Sequence, residues 1–369
     1  MNKKICFVVH RYAPFPGGSE YYVQQMAEEC VQRHLDVTVV AGEHKGDLNG
    51  VRVTNEAEGL LDKDLVVVHG GDVGVQNFVL SNASRINSPV LYMLIKPSES
   101  PICLQALKDV KYIGCSAPED WEHVKKFDVE NKSHKVIHGI SPTDCIGTKG
   151  RFKDKYGIPK DKKMFLSCGG YWPNKRMIEL ALAFEKADLK DAVLVTTGYD
   201  NRHNLMPTAR GNIIPLMVED PMDIKDAIAD ADCYVMNSDA EGFGLVVLES
   251  MINKTPWIAR NIAGAKLLAN HGQVYDTEKE LVPILQDFTR EAFAFATKME
   301  PIYEKMDWHW ASTSGRPPRA ADIAQELLRQ YELLIRDNFS YISSGGLAVE
   351  RDEYGTISIK FEHEVIVMP

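Results

Sequence analysis

Twelve short runs of continuous apolar sequence, six before residue 140 and six after residue 162, constrain the fold of this chain more than any other feature. The first six are KICFVVH (4–10), DVTVVA (36–41), DLVVVHG (64–70), PVLYMLI (89–95), KYIGCS (111–116) and HKVIHG (134–139). The second six are KMFLSCGG (163–170), AVLVTTG (192–198), NIIPL (212–216), DCYVMNS (232–238), PWIARN (256–261) and GQVY (272–275). Rich in Val and Ile and without polar alternation, they predict strands covered on both faces, the signature of parallel sheets. Amphipathic segments separate them. In GSEYYVQQMAEECVQRH, residues Val23, Met26, Ala27, Cys30 and Val31 recur at helical spacing along one face. The expected fold class is therefore α/β, as two successive doubly wound units whose ligands sit beyond the carboxyl ends of the strands, in the cleft between the sheets.

Chain length permits two cores, since 369 residues exceed the roughly 250–300 at which one core stops growing. The predicted division is 1–148 for a first Rossmann-like domain and 149–317 for a second, then a helix over 318–337 and a β-rich tail over 338–369. Between the two domains, KGRFKDKYGIPKDKK (Lys149 to Lys163) reads as a solvated linker, its basic charge diluted by Asp154 and Asp161. The competing reading of that stretch is a peripheral contact to anionic lipid headgroups.

A formal net charge of −10 argues against a nucleic-acid partner, which would need clustered basic surface. Seven scattered cysteines without a C-x-x-C pair or zinc-ligand spacing read as buried thiols in a reducing compartment. The opening MNKKICFVVHRY imitates a secretory signal, but its apolar segment ends after five residues. The chain reads as cytoplasmic, with peripheral membrane contact as the alternative placement.

Four strand-end loops hold the candidate functional residues. PFPGGSEYY puts Gly17 and Gly18 ahead of the first helix, where a ligand could approach the backbone and find unpaired N–H groups; the alternative is a tight turn. GGYWPNKRMIE places Lys175 and Arg176 at a helix start, where two cations call for an anion such as a diphosphate or else stay solvated. NSDAEGFGLVVLES ends a strand with Asn237 and Ser238, turns at Gly242, Phe243 and Gly244, and opens a helix carrying Glu249. A carboxylate lodged in that apolar run is costly unless a vicinal diol or a basic side chain satisfies it. His10 and His69 end strands of the first unit, as packing residues or as contacts to a sugar or acceptor, with His69 the better placed for contact.

Together these segments resemble retaining glycosyltransferases of the GT-B fold, glycosyltransferase family four (glycosyl transferases group 1). EGFGLVVLE matches that family's signature of two glutamates separated by seven residues. PFPGGSEYYVQQMAEECVQRHLDVTVV and CGGYWPNKRMIELALAF are similar to its glycine loop and its phosphate-binding segment. The resemblance implies that Lys175 contacts a donor diphosphate, that Glu241 lies near the transferred sugar, and that Glu249 holds the nucleotide ribose. It also implies that the Gly242, Phe243, Gly244 and Leu245 stretch meets sugar and phosphates through backbone amides, beside Asn237 and Ser238, and that Gly17 and Gly18 close over the leaving group. Two departures stand out: Gly170 occupies a position commonly arginine, for which Arg176 would compensate, and Leu267 one commonly glutamate.

The implied activity is a hexosyl- or pentosyltransferase in glycan biosynthesis, moving a sugar from a nucleotide-diphosphate sugar to a glycan, lipid-carrier or protein hydroxyl, with configuration retained and neither cofactor nor metal. Lys175, Arg176 and helix-start amides would stabilise the departing diphosphate, and His69 would join Lys175 and Glu241 in the catalytic set. Two other readings compete. A nicotinamide-dependent oxidoreductase lacks support, because no G-x-G-x-x-G follows strand one and no acidic residue ends strand two; a GT-B chain that binds sugar nucleotide without turnover is the other.

Overall fold

The computed structural model describes residues 3–288, apart from positions 16, 43–44, 71, 96–99, 137, 139, 141 and 270–271, and the tail strands 348–351, 357–361 and 364–367. The helix expected over 318–337 lies outside the described residues. Residues 1–326 make one compact unit and 327–369 another.

In the first unit, one sheet consists of β1 (Lys4–Val8), β2 (Asp36–Val40), β3 (Gly46–Leu48), β4 (Val51–Thr54), β5 (Leu65–His69), β6 (Val90–Leu94), β7 (Tyr112–Cys115) and β8 (Ser133–Lys135). Its order is β3-β4-β2-β1-β5-β6-β7-β8, parallel throughout except for the β3–β4 edge hairpin. A second sheet contains β9 (Lys163–Cys168), β10 (Ala192–Gly198), β11 (Ile213–Met217), β12 (Cys233–Met236), β13 (Trp257–Arg260) and β14 (Gln273–Tyr275), in the all-parallel order β11-β10-β9-β12-β13-β14. All twelve apolar runs form strands. The hairpin was not anticipated; its Asn49-Gly50 turn takes positive φ at both residues (50° and 82°), the type I′ geometry that suits the twist of the flanking strands.

Helices are α1 (Gly18–Gln32), α2 (Val73–Asn82), α3 (Pro101–Asp109), α4 (Pro118–Lys126), α5 (Pro142–Cys145), α6 (Arg151–Tyr156), α7 (Met177–Ala187), α8 (Pro221–Asp230), α9 (Leu245–Ile252), α10 (Ala263–Leu267) and α11 (278–288). The second sheet shows why its strands read as unbroken apolar runs. Leu166, Tyr234 and Trp257 pack with Val247 and Leu248 of α9 on one face, while Phe165, Val235 and Ile258 pack with Phe184 of α7 and Leu285 of α11 on the other. Side chains alternate sides along a strand, and here both sides are core. Among the described residues no helix is long and apolar enough to cross a membrane.

The stretch Lys149 to Lys163 is not a solvated linker. It folds as α6 against α8, with Phe152 and Ile158 buried. Its basic and backbone groups meet aspartates of α8: Lys155 Nζ donates to Asp223 at 2.6 Å, Arg151 pairs with Asp226 at 3.3 Å, and the Lys153 amide donates to Asp230 at 2.8 Å. The chain is already tied to the second sheet's helices upstream, where Asn253 accepts from the Gly147 amide (2.9 Å) and donates to the Cys145 carbonyl (2.8 Å). In the second unit, β15 (Ala348–Arg351), β16 (Ile357–Phe361) and β17 (Glu364–Val367) pair antiparallel as the expected β-rich tail.

Candidate active site

At the carboxyl ends of β9 and β12, two loops are stitched together by short polar bonds. Asn174 donates through Nδ2 to the Ala240 carbonyl at 2.9 Å and accepts from the Asp239 amide at 3.0 Å. Asn237, buried, donates to the Arg176 carbonyl at 3.0 Å and accepts from the Tyr275 hydroxyl at 2.6 Å, and Ser238 is buried beside it. This scaffold fixes Lys175, whose stem crosses Gly169 (φ 142°) so closely that a β-carbon there would stand 3.2 Å from Lys175 Cε. Lys175 Nζ then donates to Glu241 Oε1 at 2.6 Å, with both side chains largely withdrawn from water. An ammonium has three donors, so Lys175 can hold Glu241 and still address a phosphate.

The following turn closes against the first sheet. A β-carbon on Gly242 would lie 2.7 Å from Ile95 Cγ2, just past β6, so only glycine allows this approach. Phe243 is buried and its carbonyl accepts from the Gly264 amide at 2.8 Å. Gly244 takes the left-handed conformation (φ 86°, ψ 55°) as the N-cap of α9 and supplies no side-chain cap; the Val247 amide donates to its carbonyl at 3.0 Å, which leaves the Leu245 and Val246 amides available to an anion.

One turn further along α9 stands Glu249. Burial pushes its carboxyl from an ordinary 4.5 up to about 7, tempered by the charge of Lys225. Among the described residues its carboxylate has no hydrogen bond or ion pair, while its charge reaches Tyr21, Cys145, Cys168 and Tyr234. Tyr21 belongs to α1 of the first sheet, and its hydroxyl donates to the Asp144 carbonyl at 3.2 Å. Glu249 thus sits where elements of both sheets meet.

On the first-sheet side, His69 ends β5 in a buried aromatic group. Its ring lies 5.4 Å from Tyr22 and 6.4 Å from His138, and His138 lies 5.3 Å from Phe243. Burial lowers His69 to about 4 and, with the neighbouring His69 adding to it, His138 to about 3, so both imidazoles are neutral near pH 7. Sequence reasoning singled out His69 and passed over His138, although HKVIHG offers the same signal of a histidine at a strand end before glycine. His10 is not part of this group: its Nδ1 lies 3.3 Å from Asp72, the N-cap of α2. Gly17 and Gly18 do start α1, but the buried Glu20 carboxylate folds back onto Gly17 and pairs with Arg11 at 3.2 Å.

Arg176 does not join Lys175. It adopts a left-handed conformation (φ 50°) and its guanidinium goes to Glu278 and Glu179. At Gly170 the Trp172 indole occupies the space a side chain would need, 2.8 Å from a β-carbon there. Leu267 is 42% exposed on α10. Among the described residues no three His, Cys, Asp or Glu side chains converge to hold a metal ion.

The family described as "Glycosyl transferases group 1" matches residues 148–284. The O-antigen biosynthesis glycosyltransferase WclY of Escherichia coli is 28% identical over 135 residues, 36% of this chain and 38% of WclY. This chain spans only between 21% and 38% of the length of the curated relatives WclY, TuaC and SQD2. Among solved structures, the sucrose-phosphate synthase of Thermosynechococcus elongatus superposes with a TM-score of 0.72 at 14% identity, covering 91% of this chain and all of that one (100%). Anabaena Alr3699/HepE in complex with UDP-glucose gives 0.68 at 16% identity, covering 89% and 99%. Two parallel α/β sheets of this topology give the chain a GT-B fold, and its segment 148–284, which carries Lys175, Glu241 and Glu249, matches the glycosyl transferases group 1 family.

Proposed function

We propose that the chain transfers a sugar from a nucleotide-diphosphate sugar to a hydroxyl acceptor, retaining the anomeric configuration and without a resident metal. The observation that carries this reading is Glu249, a carboxylate held near pKa 7 by burial, with no partner among the described residues, where both sheets contribute walls. A ribose diol donating to both oxygens would satisfy it. Lys175 and the uncapped amides of α9 then face the diphosphate, and Glu241, already bonded to Lys175, orients hydroxyls of the transferred sugar.

In the reaction, the bond between the anomeric carbon and the diphosphate oxygen breaks with its electron pair going to the diphosphate. Lys175 and the amides stabilise that charge as it develops. The acceptor oxygen bonds the anomeric carbon on the same face, and its proton passes to the departing phosphate. Closure of both sheets around the ligands excludes water, the competing acceptor. HepE, bound to UDP-glucose, and WclY, named for O-antigen biosynthesis, favour a UDP-sugar and a glycan acceptor as the first pair to try.

A thermal-shift screen over UDP, GDP and ADP and their sugars tests the proposal. A ligand at 100 times its dissociation constant adds about 2.7 kcal/mol to stability. Absence of a shift with every nucleotide and nucleotide sugar refutes it.

A further inference from the structure

We propose that Tyr22 and His138 form a hydroxyl-binding pocket for the transferred sugar of the donor, on the first-sheet side of the site. This rests on the nucleotide-sugar reading and adds to it the residues that tell one sugar from another.

Both side chains are almost fully enclosed, Tyr22 at 4% and His138 at 3% exposure, and their rings lie 4.6 Å apart. Yet among the described residues Tyr22 Oη and His138 Nε2 are buried without a hydrogen-bond partner. Burying such an atom without a partner is destabilising, and a phenylalanine or leucine would fill the same space without that cost. The two atoms are carried by rings that touch each other, and the His138 ring also lies 5.3 Å from Phe243, the centre of the Gly242–Gly244 turn. His69 completes the cluster, its ring 5.4 Å from Tyr22 and 6.4 Å from His138.

A sugar hydroxyl is both donor and acceptor, so it can accept from Tyr22 Oη while meeting the imidazole nitrogen of His138 in either tautomer. Neutral histidines suit this role, because a cation would compete with the developing charge on the sugar, and burial keeps both imidazoles neutral. The nucleotide half of the donor lies, in the proposed function, against Lys175 and Glu249 of the second sheet. Tyr22 and His138 should therefore discriminate sugars and leave the bare nucleotide unaffected.

The test compares affinities for UDP against UDP-glucose, GDP against GDP-mannose and ADP against ADP-glucose, in the unaltered chain, in Tyr22→Phe and in His138→Gln. For the pair that binds, Tyr22→Phe should weaken the sugar nucleotide roughly tenfold relative to the bare nucleotide, the effect of one lost hydrogen bond. The free Tyr22→Phe protein should at the same time melt higher, since an unsatisfied hydroxyl has gone. His138→Gln should shift the same ratio and serves as the second reading if Tyr22→Phe does not fold. A higher melting temperature with an unchanged ratio overturns the inference, because the two polar atoms would then be only a cost of the fold. Equal loss of bare and sugar nucleotide also overturns it, because the pair would then act on closure rather than on sugar. If the unaltered chain binds none of the six probes, the nucleotide-sugar reading itself falls, and this inference with it.

Discussion

Replacing Glu249 by glutamine removes one charge and little volume from the place where the proposed ribose contact is made. In the free protein the carboxyl sits near 7 against an ordinary 4.5, with burial the main cause. At about 1.4 kcal/mol per pKa unit, a shift of that size corresponds to about 3 kcal/mol of destabilisation once the group is ionised. Partial access of water to Glu249 lowers the expected effect to about 1–3 kcal/mol. Its sign follows from linkage. Below about pH 4.5 the carboxyl is neutral both folded and unfolded and contributes nothing; between there and about pH 7 the folded state holds a proton that the unfolded state has lost, so stability falls as pH rises, then levels off.

Denaturant unfolding of both proteins at pH 5 and pH 8 measures this. Glu249→Gln should be the more stable by about 1–3 kcal/mol at pH 8, with the gap mostly closed at pH 5. Binding should move the other way. A diol donates to a carboxylate better than to a neutral acid, so nucleotide affinity in the unaltered chain should weaken as pH drops below 7, and the Gln variant should bind at least about tenfold more weakly at pH 8. Phosphate ionisation also changes affinity near pH 6–7, but equally in both proteins, so the informative quantity is the difference in slope. A Gln variant less stable than the parent at pH 8 would refute the reasoning, since Glu249 would then have a partner that stabilises its charge.

Other perturbations separate the parts of the site. Lys175→Met should cut kcat/KM by at least about a hundredfold through lost diphosphate stabilisation, and it should lower stability by about 1–3 kcal/mol because Glu241, 12% exposed, is left without its cation; full activity in steady-state kinetics would contradict it. Glu241→Gln should retain nucleotide binding by calorimetry while turnover falls by about a hundredfold or more, whereas a chain that only binds sugar nucleotide would show no turnover to lose. Gly244→Ala forces a β-carbon onto a left-handed N-cap, 3.1 Å from Met236 Sδ, and should cost about 1–2 kcal/mol in unfolding experiments and weaken nucleotide binding. Phe152→Ala should destabilise the chain by about 3–5 kcal/mol, as expected of a core residue in α6 and not of a linker.

Whether a feature could be read from sequence depended on whether its cause is local. Each buried strand such as β9 shows its environment in its own residues, since Met164 and Leu166 face one core and Phe165 the other. EGFGLVVLE likewise contains its own geometry: the glycine cap and the carboxylate one turn later lie within nine residues. Where the deciding partner is distant, the same reasoning went astray. The basic run from Lys149 to Lys163 has the composition of a linker, and only the aspartates of α8, nearly seventy residues on, make it a docked helix.

Arg176 illustrates the limit most sharply. Adjacent to Lys175 in sequence, it invites a shared anion, yet φ at Arg176 is 50°, and the left-handed turn sends the two side chains to different carboxylates, Lys175 to Glu241 and Arg176 to Glu278, which lies 102 residues away. In the proposed function, Lys175 is then the basic side chain that this loop would present to a diphosphate. On that proposal the remaining stabilisation of a leaving group would come from backbone amides at the α9 N-terminus, whose glycine-led start has no side-chain cap. Tyr22 escapes a linear reading for the same reason as Glu278, because the environment it shares with His138 is created by strands and helices that meet only after folding.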